Sequence, residues 1–105
     1  MEEMVTLAKA MSDIHRVEIV ALIQREGEVC VCELCDTLHL SQPLVSRHLR
    51  QLRQAGIVTA RKEGKWTLYR IVDTPSKLLT ACLHHLDKHT GTIGKLVACS
   101  RRTKE

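Results

Sequence analysis

"LSQPLVSRHLRQLRQAGIVTARKEGKWTLYRI", residues 40 to 71, carries two local signals in succession. Ser41 is a good N-cap, and Pro43 falls in the first turn that follows, where its missing N–H is no loss. Val45, Leu49 and Leu52 then recur at helical spacing as a buried stripe, and Gly56 stops the helix. The opposite face holds Ser46, Arg47, Arg50 and Arg53. From Ile57 onward, β-branched and aromatic residues form two strand-like runs around Glu63-Gly64. This predicts a two-stranded hairpin with Arg61, Lys62 and Lys65 at its tip.

The flanking sequence is helical. Met4, Leu7 and Met11 recur at three- and four-residue intervals. Ser12 or Asp13 can cap a second helix from about Ile14 to Gln24, apolar on most sides and therefore central, which Gly27 ends. A short helix from about Glu33 to Leu38 precedes the capped one. After Pro75 a last helix runs to about Lys88, with Leu79, Leu83 and Leu86 on one side. These elements predict a mainly α domain with a small β-hairpin. One domain spans residues 1–105, and about 90–105 is expected to be a flexible tail. Aromatic residues are 2% of the chain and Phe is absent, so the core must be aliphatic. A core that thin often gains stability by dimerising.

Charge is uneven along the chain. Residues 1–40 carry 3 basic and 8 acidic side chains, a net of −5, whereas residues 41–70 carry 7 basic against Glu63 alone, a net of +6. A segment more positive than the whole chain, at +4, is the footprint of a polyanion partner. Two short helices joined by a tight turn, the second basic, followed by a basic hairpin, make a winged helix-turn-helix. In that geometry the start of the second helix faces base edges in double-stranded DNA. Gln42, Ser46, Arg47 and Arg50 are expected there, while Arg61, Lys62 and Lys65 suit phosphates or the minor groove. His48 is counted with this DNA-binding set, although its position beside Leu49 also suits a packed boundary residue.

The segment "EVCVCELCDTL", residues 28 to 38, crowds Cys30, Cys32 and Cys35 together. Cys32 and Cys35 are three apart at a helix start, and Cys30 lies just outside it and can swing in. Three thiolates from one side suit a soft ion that keeps a lone pair, such as trivalent arsenic or antimony. Thiolates select soft metals generally, so spacing alone leaves zinc, cadmium and lead open. A thiol redox switch and plain packing of small side chains are the other readings. The N-terminus lacks a basic leader with an apolar stretch, and no run is long enough for a membrane span. A reducing cytoplasm is therefore expected, where clustered cysteines indicate metal or redox chemistry.

With "VSRHLRQLRQAGIV" and the wing after it, the chain from about residue 4 to 89 resembles the ArsR/SmtB family of metal-responsive repressors. The resemblance implies a homodimer joined through the first and last helices, here the Met4/Leu7/Met11 and Leu79/Leu83/Leu86 faces. Such a dimer would read an inverted repeat in its operator. "C-V-C-x-L-C" is similar to the arsenite-sensing motif of the founding repressors, which implies Cys30, Cys32 and Cys35 as ligands. As(III) or Sb(III) would be the inducer, with no other cofactor. Cadmium and lead sensors of the family recruit further cysteines from an N-terminal arm, and no cysteine precedes Cys30. Zinc sensors use an Asp-x-His pattern; here Asp73-Thr74-Pro75 precedes His84, His85 and His89, so half that site is missing. An enzymatic thiol would need an anion-cradling loop, and neither a glycine-rich nor a Cys-x5-Arg loop occurs. Cys82 is expected to pack in the dimer helix, and Cys99 to sit in the tail.

Overall fold

Asp13 starts the central helix by accepting the backbone N–H groups of His15 and Arg16 at 2.8 and 3.3 Å, so of the two expected caps it is the one in place. This helix, α2 (Ile14–Glu26), buries Ile19, Val20, Leu22 and Ile23 and ends at Gly27, whose φ of 88° suits glycine. In the computed structural model, which describes residues 1–88, 90–99 and 101, α1 (Glu2–Ala10) precedes it. Arg16 fastens the two together: its guanidinium donates to the carbonyls of Ala10 at 2.7 Å and Lys9 at 3.2 Å, satisfying orphan groups at the end of α1.

Two residues of strand, β1 (Val29–Cys30), lead directly into α3 (Val31–Leu38). A turn through His39, in the left-handed region at φ 58°, then brings in α4 (Gln42–Gln54). Ser41 caps α4 by accepting the N–H of Leu44, with Pro43 in the first turn, as its sequence predicts. Val45, Leu49 and Leu52 are fully buried against α2, so the capped, striped segment is the second helix of a helix-turn-helix.

The wing is β2 (Val58–Glu63) and β3 (Trp66–Ile71), paired antiparallel from Val58↔Ile71 to Glu63↔Trp66. Its two-residue turn is Gly64-Lys65, one residue later than the sequence suggests, because Glu63 is the last paired position; Gly64 has φ 62°. The sheet also has a third strand. β1 pairs with the free edge of β3, Val29 opposite Tyr69 and Cys30 opposite Leu68, giving the order β1-β3-β2. The cysteine segment and the wing are thus parts of one sheet.

Helix α5 (Lys77–Asp87) is capped by Ser76, which accepts the N–H of Leu79 at 3.2 Å. Leu79 and Leu83 are buried in the domain's own core. Of the expected face only Leu86 stays at the surface: Leu78, Cys82 and Leu86 form the half-buried stripe beside Met4 and Met11. After a 3-10 turn at Thr90–Thr92, residues 93–99 run back along α2 and α3, where a flexible tail was expected. Arg25 donates to the carbonyls of Ile93 at 3.0 Å and Gly94 at 2.8 Å, and the Val97 N–H donates to Thr37 Oγ1 at 2.8 Å. Ile93 and Leu96 add apolar contacts to the core. His89 of the histidine cluster, and residues 100 and 102–105 of the expected tail, lie outside the described residues.

Candidate thiol site and nucleic-acid interface

Cys30 is both the last residue of β1 and the N-cap of α3. Its extended backbone turns its side chain inward, and its N–H donates to Glu33 Oε1 at 3.0 Å in a capping box. Cys32, in the first turn of α3, brings its Sγ to 2.9 Å from that of Cys30. The third sulfur is that of Cys99, which accepts from the Cys30 thiol at 3.3 Å; all three Sγ atoms lie within 4.8 Å of one another.

Cys35 is not in this cluster. One turn further along α3, it packs against the apolar core with Val31 and Leu38. The geometry thus brings Cys30 and Cys32, two of the expected trio, together with Cys99, and leaves Cys35 outside that cluster. Nothing in the local sequence signals this, because Cys99 arrives from 69 residues away.

Glu33 is fully buried and organises the site. Its Oε1 accepts the N–H of Cys30, its Oε2 accepts the N–H of Cys99 at 3.3 Å, and Arg101 lies 3.5 Å away as counter-ion. A carboxylate this deep persists only with such partners. Sequence reading counts Glu33 only as a nearby negative charge; its place as the N3 residue of a capping box is the signal for more.

The three thiols are electrostatically unequal. Burial pushes the Cys30 thiol well up, and the hydrogen bond with Cys32 adds to that. Burial also raises Cys32 and, with help from Asp36, Cys35. At Cys99 burial works upward too, but the bond from Cys30, the Arg101 N–H and Cys32 outweigh it, so its thiol sits below the ordinary range. The cluster thus has two protonated thiols around one sulfur readier to be a thiolate.

Away from the thiol cluster in sequence, α4 presents Gln42, Arg47 and Arg50 to solvent, with Ser46 half-buried. Ser46, Arg50 and Arg53 line a shallow groove closed on the wing side by Tyr69 of β3, a residue sequence reasoning did not select. On the wing, Lys62 and Lys65 are exposed, and the Lys65 ammonium lies 5.0 Å from the Trp66 ring centre. Arg61 is also at the surface but already holds Glu28 and Glu63.

His48 is a correction. It is 5% exposed, with its Nδ1 3.3 Å from Arg16 Nη1 and its ring near His15 and Asp13, so it faces α2 and not the groove. Its spacing of three from Val45 and four from Leu52 puts it on the buried stripe.

Comparison with known proteins agrees with this arrangement. Residues 13–60 match the model of the "Bacterial regulatory protein, arsR family". The chain is 54% identical over 63 residues to the arsenic resistance transcriptional regulator ArsR1 of Pseudomonas putida, covering 60% of this chain and 49% of that one. It is 48% identical over 67 residues to the arsenical resistance operon repressor of Escherichia coli K12, covering 64% and 57%. It spans about half the length of these curated relatives. The solved structure of reduced HlyU from Vibrio cholerae superposes with a TM-score of 0.74 at 32% identity, over 86% of this chain and 90% of that one. Among the described residues, no helix is long and apolar enough to cross a membrane. With the winged fold, the family model and a relative matched over nearly its whole length in agreement, this chain belongs to the arsR family of bacterial regulatory proteins, which are transcriptional regulators and not enzymes.

Proposed function

We propose that this protein is an operator-binding repressor that releases DNA when a soft trivalent ion, As(III) or Sb(III), binds its clustered thiols. The observation that carries the reading is the position of Cys30. It starts the helix that supports α4 and is hydrogen-bonded through β1 to β3 of the wing. A ligand that pulls on Cys30 acts on both DNA-facing elements without touching DNA.

Chemistry supports the choice of ion. Arsenious acid exchanges As–O for As–S bonds, and each thiol proton leaves in a water molecule, so thiols held protonated by burial are no obstacle. A divalent zinc, cadmium or lead ion must instead expel those protons to the solvent. The arsenical-resistance names of two relatives point the same way.

DNA contact is assigned to Gln42, Ser46, Arg47 and Arg50 on α4, and to Lys62, Lys65 and Arg61 on the wing. A second copy covers the apolar groove of Met4, Met11, Val17, Leu78, Cys82 and Leu86. Met4 and its neighbour Val5 are more than half exposed in the single chain, which favours a partner there. The resulting two-fold dimer suits an inverted repeat with half-sites about 34 Å apart. Titrating arsenite, antimonite, zinc, cadmium and lead into a labelled operator complex tests the reading: the first two should release DNA at the lowest concentrations. Release by zinc or cadmium, with none by arsenite, would overturn it.

The 2.9 Å approach of the Cys30 and Cys32 sulfurs also supports a second reading, a thiol switch. A peroxide would oxidise one thiol to a sulfenic acid, and the other would displace water to form the disulfide. Release by peroxide and not by arsenite, with a mass loss of two hydrogens, would favour it.

A further inference from the structure

Residues 93–99 cross the start of α3 as an extended strap, and they end with a sulfur against the other two. We propose that Cys99 is the third sulfur ligand for arsenic(III), completing with Cys30 and Cys32 a site in which the C-terminal strap closes over the bound ion. This rests on the reading of the chain as an arsenite-responsive regulator and names the ligand that the local sequence does not.

Three observations carry it. Thiolate–metal bonds of about 2.3 Å put sulfurs sharing one ion roughly 3.3–3.8 Å apart. The measured approaches of 2.9 and 3.3 Å are within a few tenths of that edge, so small rotations of the side chains suffice. The strap is also held independently of its sulfur, by Arg25 on Ile93 and Gly94, Thr37 on Val97, and Glu33 on the N–H of Cys99. Its position does not depend on the thiol contact. Finally, Cys35 would have to leave its apolar contacts to serve instead.

The exchange balances without redox chemistry. As(OH)3 and three thiols give three As–S bonds and three waters, and arsenic stays trivalent. A monosubstituted arsenical, R–As(OH)2, has only two hydroxyls to exchange and needs only two thiols. The strap therefore distinguishes inorganic arsenite from organic trivalent arsenicals, because only arsenite uses its sulfur.

The test compares arsenite with phenylarsine oxide on the full-length protein, without DNA, by ultraviolet absorbance of the arsenic–sulfur bonds. Cys99→Ser should keep phenylarsine oxide affinity within about twofold and weaken arsenite by about tenfold or more. Cys35→Ser should leave both unchanged. In the arsenite-loaded protein Cys30, Cys32 and Cys99 should resist alkylation more than the same three do in the arsenic-free protein. Loss of both ligands or of neither in Cys99→Ser, or loss of arsenite in Cys35→Ser, overturns the proposal. Tight three-thiol binding that leaves the operator complex intact would support the strap and remove the release reading instead.

Discussion

Arg61 on the wing and Glu28, the residue before β1, form a two-pronged ion pair: Nε to Oε2 and Nη2 to Oε1 are both 2.8 Å. Arg61 pulls the Glu28 carboxyl below its ordinary range. The pair ties the cysteine-bearing segment to the wing and engages the guanidinium that is proposed above to meet a DNA phosphate. In that proposal a phosphate would have to compete with Glu28.

Glu28→Gln should loosen that hold. Operator binding in low salt should tighten, and the slope of log affinity against log salt should steepen by about 0.9, the contribution of one more phosphate contact. Fluorescence anisotropy across a salt series measures both, and an unchanged slope would mean that Arg61 plays no part at the DNA.

The two faces of α4 should respond differently. Arg47→Ala and Arg50→Ala should each weaken operator binding by about 1–3 kcal/mol and leave the melting curve unchanged. His48→Ala should lower stability by about 1–3 kcal/mol, since it opens a buried site and removes one of the contacts of Arg16. A stable His48→Ala variant with altered sequence preference would restore His48 to the DNA face.

Burial holds the His48 imidazole below its ordinary 6.5; Asp13 pulls it back up, while Arg16, His15 and Arg47 push it down. The folded protein thus binds this proton less readily than the unfolded chain. The contribution to stability is complete above 6.5 and is lost as the pH falls below it. Denaturant midpoints on either side of that value should differ, and His48→Gln should reduce the difference. An equal acid sensitivity in His48→Gln would assign the effect to another group.

Leu86→Glu places a charge in the apolar groove between α1 and α5. Sedimentation should show a monomer where the wild type is a dimer, with operator affinity falling alongside. A dimeric Leu86→Glu protein would move the interface elsewhere.

Much of this was legible in the sequence because the signals were local. Ser41, Pro43 and the Val45/Leu49/Leu52 stripe define α4 within a dozen residues, and the strand-like runs on either side of Gly64 define the wing. β1 was not, since two residues cannot show an alternation. The outward apolar stripe of α5 was misjudged for a different reason. Leu79/Leu83 and Leu78/Cys82/Leu86 are adjacent apolar stripes, and only the placement of α2 decides which one turns inward. Two of the three clustered sulfurs were found by spacing. The third depends on how Arg25, Thr37 and Glu33 route the chain, which no local pattern records.

The separation of 69 positions between Cys30 and Cys99 sets an order of events at synthesis. Closing a loop of that length is entropically unfavourable until the helices between are packed and hold the ends together. While the chain is still emerging from the ribosome, Cys30 and Cys32 have been made and Cys99 has not. The complete trio of sulfurs exists only once the chain has been made past Cys99 and has folded, so a shorter nascent chain cannot gather it.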